Sequence, residues 1–259
     1  GDSLYIEVGN EWLSDWLKRN PLNQGPNWKC GQETSIRVFN MINSCLILNE
    51  SKSSMTALPD IVNDHLERIS KSILYGIAQN NNHGTSEAAA LYIGGSWLYE
   101  LEPSKYSAAK GYAQKGLFWL ENRVKKLVGS DGGFSQYSTT YHRVFLDTMI
   151  FSEYWRVKLM LPKFSKTVYL KINKAIDWMY TFTDPISGDA PNLGANDGSL
   201  FLNLHSSDYR DFRPTLQTAN VLFRQATLFP AGPWNEPLYW LNISIPEKVN
   251  HIKMRESVV

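Results

Sequence analysis

Apolar residues that recur every three or four positions are the feature that most constrains how this chain can fold. Between residues 61 and 77 they form one face of a long helix, and His65 lies on that face, where we expect a buried core histidine. Similar patterns cover further segments, with Ser, Thr, Asn, Pro or Gly at the joins. These further predicted helices are 33–49, 86–100, 104–127, 139–160, 164–183 and 214–229.

About seven helices with short connections indicate antiparallel helical hairpins rather than a sheet protein. The 259 residues can bury one large core or two small ones, and the pattern shows no strict sequence repeat. That length fits an open or closed ring of hairpins better than a four-helix bundle. We therefore predict an all-α fold, an (α/α) toroid in the form of an incomplete barrel of antiparallel hairpins.

Composition excludes several classes of partner. The 26 basic and 25 acidic residues nearly balance, so we expect no nucleic-acid partner. No apolar run is long enough to predict a membrane span. Cys30 and Cys45 fit neither a disulfide scaffold nor a zinc site, and we predict no metal and no cofactor. An aromatic content of 13% fits helix packing, but the excess also favours rings that stack on sugars.

Four stretches between the predicted helices are too rich in Gly, Asn and aromatic residues to be simple turns. Loops that are two helices apart lie at the same end of an array of antiparallel hairpins, so we expect the first three stretches to converge. The four are NQGPNWKCGQE (23–33), QNNNHGTSE (79–87), GSDGGFSQYSTTYHR (129–143) and DAPNLGANDGSLF (189–201).

The second stretch has two interpretations. Asn82 and His83 offer hydrogen-bond donors that suit a bound carboxylate, and Glu87, four residues after His83, could orient the imidazole ring. Alternatively, the stretch is a helix N-terminus capped by an Asn or by Thr85. Capping by Thr85 or Ser86 would leave Asn82 and His83 to face a ligand.

The third stretch also has two interpretations. Ser138 or Thr139 can cap a helix whose first turn carries Tyr141 and His142. At that position the helix dipole favours an anion, which predicts a lower cost for a tyrosinate at Tyr141. The alternative is a Tyr–His pair that only packs at the start of a helix.

Three motifs in the same order carry a family resemblance. The segments GPNWKCGQETSIR, NNNHGTSEAAALY and QYSTTYHR resemble the helical domain of the heparinase II/III and alginate-lyase-like family, over residues 10 to 230. The resemblance implies a toroid that binds an acidic, uronic-acid-containing polysaccharide and cleaves it by β-elimination. It also implies a following β-sandwich domain in the same parent protein, so we expect residues 1–259 to be a single toroid domain, a fragment of a longer protein without that C-terminal domain.

The same resemblance implies roles for individual residues. Asn82 and His83 would neutralise the uronate carboxylate, Tyr141 would act as acid or base, and His142 would support it. Glu87 matches an acidic position that follows the Asn-His pair in some members. The predicted substrate-binding residues are Asn81, Glu87, Gln136, Tyr137, Trp28, Gln32, Arg37, Arg143 and Asn196.

The function predicted from this set is that of a polysaccharide lyase. One alternative is a non-catalytic protein that binds acidic polysaccharide or takes part in surface-polysaccharide assembly with the same toroid. Another is a glycoside hydrolase with two carboxylates, which amide, imidazole and phenol groups suit less well. The resemblance implies a periplasmic or secreted protein, although no signal peptide is visible in the chain.

Overall fold

The computed structural model describes residues 3–48 and 57–249, and these residues form nine α-helices, two short 3₁₀ helices and no strand. The all-α prediction is confirmed, and the helical content is consistent with the predicted toroid. None of these helices is both long and apolar enough to span a bilayer. The α-helices are α1 (Ser3–Arg19), α2 (Gly31–Ile47), α3 (Leu58–Ala78), α4 (Asn82–Leu101), α5 (Ala109–Leu127), α6 (Thr139–Lys158), α7 (Lys166–Phe182), α8 (Arg213–Arg224) and α9 (Glu236–Trp240).

Most predicted helices match the observed ones within three residues at each end. Helices α1 and α9 were not predicted, α4 begins at Asn82, four residues before its predicted start, and α5 begins at Ala109, five residues after its predicted start. Helix α8 ends at Arg224, five residues early, because Gln225 adopts a left-handed backbone conformation with φ of 53°.

The described residues divide into two compact units, the first drawn from Gly1–Gln79 and Ser86–Leu120. Its core includes His65, which is fully buried as predicted. Helix α2 packs on α3, and α5 approaches α4 so closely that a Cβ on Gly95 would lie 2.6 Å from the backbone nitrogen of Ala113. Small residues such as Gly95 in α4 therefore serve close helix packing.

The second unit is drawn from Asn80–Thr85 and Glu121–Val259, and α6 is its central helix. Helices α7 and α8 pack against α6. From Thr139 to Arg156 every residue of α6 is buried except Tyr141. A helix that is buried on all sides forms a rigid support, so Tyr141 is carried by a part of the unit that has little freedom to move.

A buried carboxylate ties α6 to the segment that leads into α8. Asp147 is fully buried; it accepts hydrogen bonds from the Thr215 hydroxyl at 2.7 Å and from the Leu202 backbone nitrogen at 3.1 Å. Burial raises the pKa of Asp147 to about 6, against the lowering effect of Thr215 and of the nearby Arg143 charge. The segment after residue 201 is thus anchored to α6 by a group that titrates near neutral pH.

Candidate functional site

The start of α4 is formed by the asparagine run. The Asn81 side chain caps the helix, because its oxygen accepts the backbone N–H of His83 at 3.0 Å. The predicted capping by Thr85 or Ser86 is wrong: Thr85 lies inside the helix, and its hydroxyl donates to the carbonyl oxygen of Asn82. Asn82 is only 4% exposed, whereas Asn81 and His83 are half-buried.

The stretch 129–143 meets the asparagine run directly. The Gln136 side-chain oxygen accepts the backbone N–H of Asn82 at 2.8 Å, and the Ser135 hydroxyl donates to the carbonyl oxygen of Asn80 at 3.0 Å. The buried guanidinium of Arg123 donates to the Asn80 side chain, also at 3.0 Å. The second and third predicted stretches therefore meet within this unit, in part as expected.

Tyr137 combines a fixed backbone with a free ring. Its φ of 50° lies in the left-handed region, which is uncommon for a residue other than glycine. The ring is 85% exposed, among the most exposed large side chains of the described residues. An aromatic ring held out from a constrained backbone is a suitable surface for stacking against a sugar.

Tyr141 lies in the first turn of α6, as predicted. Ser138 is the N-cap, and its hydroxyl oxygen accepts the Tyr141 backbone N–H at 3.1 Å. The phenol donates a hydrogen bond of 2.6 Å to the carboxylate of Asp197. This contact and burial raise the pKa of Tyr141, so the predicted preference for a tyrosinate is wrong. A carboxylate in contact with the phenol outweighs the helix dipole.

The fourth stretch, 189–201, packs on the start of α6. The backbone N–H of Thr139 donates to the Leu193 carbonyl at 3.1 Å, and the Ser138 hydroxyl donates to the Ala195 carbonyl at 2.6 Å. Asp197 in this stretch therefore reaches the Tyr141 phenol from a loop that is bound to the start of α6. The sequence analysis predicted a binding role for Asn196 of this stretch and assigned none to Asp197.

His142 faces away from the helix start. It is 1% exposed, its Nε2 lies 2.9 Å from the carbonyl oxygen of Ala175, and its ring stacks on Trp178. Burial lowers the pKa of His142 to about 4, so the ring is neutral at ordinary pH. The prediction that His142 supports Tyr141 in catalysis gains no contact here, because the hydrogen-bond and stacking partners of the imidazole lie on α7.

Arg143 is also a structural residue in this conformation. Its side chain is fully buried between the rings of Tyr209 and Phe212, each about 4.5 Å away. The guanidinium donates to the carbonyl oxygens of Tyr209 and Ser199. With no accessible surface it cannot contact a polymer, contrary to its predicted substrate role.

Asn196, in contrast, is exposed and accepts a 2.7 Å hydrogen bond from the Tyr209 hydroxyl.

Two predicted binding residues lie in the first unit and are occupied by packing. Trp28 is 3% exposed, and its ring nitrogen donates to the carbonyl oxygen of Asn20. Arg37 packs against the Trp28 ring and donates to the Asn27 carbonyl and to Nε2 of His65. The structure therefore gives both residues internal partners, and Trp28 has too little exposed surface to stack on a sugar.

Glu87 and Gln32 also belong to the first unit. Glu87 is 2% exposed, and a Cβ on Gly31 or Gly76 would come within 2.5 Å or 2.7 Å of its carboxylate group. The carboxylate thus lies close to the N-terminus of α2, where a negative charge is favourable. Gln32 is half-buried, and its side-chain oxygen has no hydrogen-bond partner among the described residues.

Sequence reasoning missed two residues that shape the site. Asp197 contacts Tyr141 from 56 positions away, and its only sequence signal was the Asn-Asp-Gly turn. Arg123 is buried beside the asparagine run, but in the sequence it lies within an ordinary helical pattern. Among the described residues, no three His, Cys, Asp or Glu side chains form a group that could hold a metal ion.

The described residues form an all-α fold with amide and imidazole side chains at the start of α4 and a phenol at the start of α6, and the comparison with known families makes this a polysaccharide-lyase-like protein. The chain belongs to the heparinase II/III family: the family described as Heparinase II/III N-terminus matches residues 1–213, most of its length. No curated protein and no solved structure matches the chain.

Proposed function

We propose that this chain is the helical catalytic domain of a polysaccharide lyase that cleaves a uronic-acid-containing glycan by β-elimination. The observation that carries the proposal is Tyr141, the one residue between Thr139 and Arg156 that α6 leaves partly exposed. Its phenol keeps its proton, as an acid that protonates a leaving oxygen must. Membership of the heparinase II/III family supports the reaction class.

The reaction needs help at two places on the sugar. A base removes the proton at C5, the electrons form a C4=C5 double bond, and the bond from C4 to the glycosidic oxygen breaks. Negative charge develops on the uronate carboxylate as the C5 proton leaves. In this proposal the Asn82 amide and His83 donate hydrogen bonds to that carboxylate, and a fixed donor set stabilises the developing charge. Tyr141 serves as acid or base at the neighbouring positions.

Several neighbouring residues would hold these groups in place. The bond from the Asn82 backbone to Gln136 fixes the start of α4 against the loop that leads to α6. Tyr137 would stack on a sugar ring, and Asn81 and Asn196 would donate to hydroxyl groups at the exposed edge. Positioning of this kind lowers the entropic cost of reaching the reactive geometry.

Binding or surface-polysaccharide assembly without elimination is the second candidate function. It is favoured by the low exposure of Asn82, which at 4% offers little surface to a uronate carboxylate. Exposed aromatic and amide groups at Tyr137 and Asn196 would still allow the chain to bind a glycan.

The test is to incubate the protein with a panel of uronic-acid polymers and follow the ultraviolet absorbance of the unsaturated product. Tyr141→Phe is expected to lose elimination by roughly 100-fold or more, the usual contribution of a general acid or base, while binding the same polymer. Tyr239→Phe, at a tyrosine that is 67% exposed, is the matched control and should keep full activity.

The outcomes separate the two functions. Polymer binding by the wild-type protein with no unsaturated product on any polymer would exclude the lyase and support the binding function. Full activity in Tyr141→Phe would exclude Tyr141 as the acid or base, whatever the polymer.

A further inference from the structure

The loop that carries Asp197 holds both of its carboxylate oxygens. One oxygen accepts the Tyr141 phenol at 2.6 Å, and the other accepts the backbone N–H of Ser199 at 3.1 Å and its hydroxyl at 2.6 Å. The turn therefore fixes one edge of the carboxylate and leaves the other edge for the phenol. Asp197 is exposed, so the hydrogen bonds from Ser199 are what hold its carboxylate in this orientation at the surface.

The loop is itself fixed to the start of α6. A Cβ on Gly194 would lie 2.9 Å from the Cα of Ser138, so the two backbones are in direct contact. The Ser138 hydroxyl donates to the carbonyl oxygen of Ala195, and the buried guanidinium of Arg143 donates to that of Ser199. Ser138 also caps the helix at Tyr141. The helix turn that carries Tyr141 and the loop that carries Asp197 are therefore both bound to Ser138.

We propose that Asp197 is a positioning residue that restricts Tyr141 to the role of acid, so that a different group removes the C5 proton. This inference rests on the proposed lyase function and narrows it, because that function alone allows Tyr141 to be acid or base. Asp197 acts through Tyr141 and needs no contact with the sugar.

The electrostatics support one direction of proton transfer. A base at this position would have to be a tyrosinate, which would lie 2.6 Å from a carboxylate and be repelled by it. Ser199 and Tyr141 lower the pKa of Asp197, whereas Asp197 raises that of Tyr141. Tyr209 also faces the Tyr141 phenol and raises the pKa of Tyr141. The Arg143 guanidinium packs on the ring of Tyr209.

The proton balance of the step follows from this arrangement. Tyr141 gives its phenol proton to the glycosidic oxygen as the bond from C4 breaks, and the C5 proton goes to the separate base. The tyrosinate left beside Asp197 is unfavourable, so it regains a proton from solvent before the next turnover. Tyr141 therefore starts each cycle protonated.

The first test needs no substrate. Asp197→Asn keeps the side-chain oxygen that the turn uses and replaces the other with an amide that donates to the phenol. The pKa of Tyr141 is read from tyrosinate absorbance as the difference between each protein and its Tyr141→Phe counterpart. We expect the pKa to fall by about one unit or more in Asp197→Asn. Asp189 is the other acidic residue of the 189–201 stretch, and its carboxylate pairs with Arg210. Asp189→Asn should therefore leave the pKa of Tyr141 unchanged.

The second test is the pH dependence of elimination by the full chain. An acid must be protonated, so the alkaline fall in activity is expected above the pKa of Tyr141, and this alkaline limit should move to lower pH in Asp197→Asn. An unchanged pKa of Tyr141 and an unchanged limit in that variant would overturn the role of Asp197. A wild-type Tyr141 that titrates at or below the ordinary tyrosine pKa of about 10 would also overturn the role of Asp197. This second result does not depend on whether Asp197→Asn folds.

Failure of the proposed function has a different signature. A shifted pKa of Tyr141 with no unsaturated product from the wild-type protein would overturn both the lyase and the positioning role, leaving a structural hydrogen bond. An active enzyme with no shift would overturn the role of Asp197 alone.

Discussion

Replacement of Gly194 by alanine is expected to separate the loop from the start of α6. Gly194 has φ of 68°, and its Cβ would lie 2.9 Å from the Cα of Ser138 and closer still to the carbonyl oxygen of Tyr137. Both neighbours are backbone atoms of a capped helix start, so neither can rotate aside. The loop must move instead, and it carries Asp197 away from Tyr141.

The structure provides a matched position that isolates this steric effect. Gly198 lies in the same loop with φ of 81°, but a Cβ there would have nothing within 4 Å. Both substitutions impose a left-handed conformation on alanine, at about 1–2 kcal/mol. Only Gly194→Ala adds backbone overlap, which typically costs about 1–3 kcal/mol. The difference between the two variants should therefore be about 1–3 kcal/mol.

Two measurements test this reasoning. Urea unfolding should give a lower free energy of unfolding for Gly194→Ala than for Gly198→Ala. Substrate-free titration should show a lower pKa of Tyr141 in Gly194→Ala alone, because Asp197 has moved. Equal unfolding free energies in the two variants, together with the same Tyr141 pKa, would refute the claim that contact at Gly194 holds the carboxylate in place.

Three further predictions concern stability. Ser138→Ala should lower the free energy of unfolding by about 1 kcal/mol through loss of the cap, measured by urea unfolding. Gly111→Ala, with open space around it, should gain up to about 1 kcal/mol of helix stability, whereas Gly76→Ala should gain less or lose stability, because its Cβ would overlap the buried Glu87 carboxylate. For the buried Asp147, the folded protein keeps a proton between about pH 4 and 6 that the unfolded chain loses. Stability should fall as pH rises through that range, and Asp147→Asn should remove the decline.

The helices that the sequence predicted are those whose burial is one-sided. Residues 61–77 form an apolar face that packs in the core, so their periodicity was clear. Helix α1 is less one-sided, because Leu4, Tyr5 and Trp12 are each more than half exposed and none of its described side chains is fully buried. The start of α4 was placed late because its first turn consists of polar residues that read equally well as a loop.

Neighbouring residues in the sequence determine one part of the candidate site, and tertiary packing determines the rest. The cap at Ser138 and the place of Tyr141 in the first turn follow from neighbouring residues, and both were predicted. The Asp197 contact depends on how a loop 56 positions away returns to the helix, which no local pattern contains. His142 and Arg143 have the side chains of catalytic residues, but burial decides their role, and burial is set by the packing of α7 and of the segment before α8.

Three consecutive residues explain how so short a stretch can organise this unit. Gln136 holds the backbone of Asn82, Tyr137 lies against Gly194, and Ser138 caps α6 while donating to the loop. These residues are bound to the start of α4 on one side and to the 189–201 loop on the other, so the left-handed backbone at Tyr137 is fixed from both sides. Strain of that kind persists only where the surroundings determine it. The exposed ring of Tyr137 and the phenol of Tyr141 are thereby held on one rigid backbone, and displacement of the 189–201 loop should disturb both together.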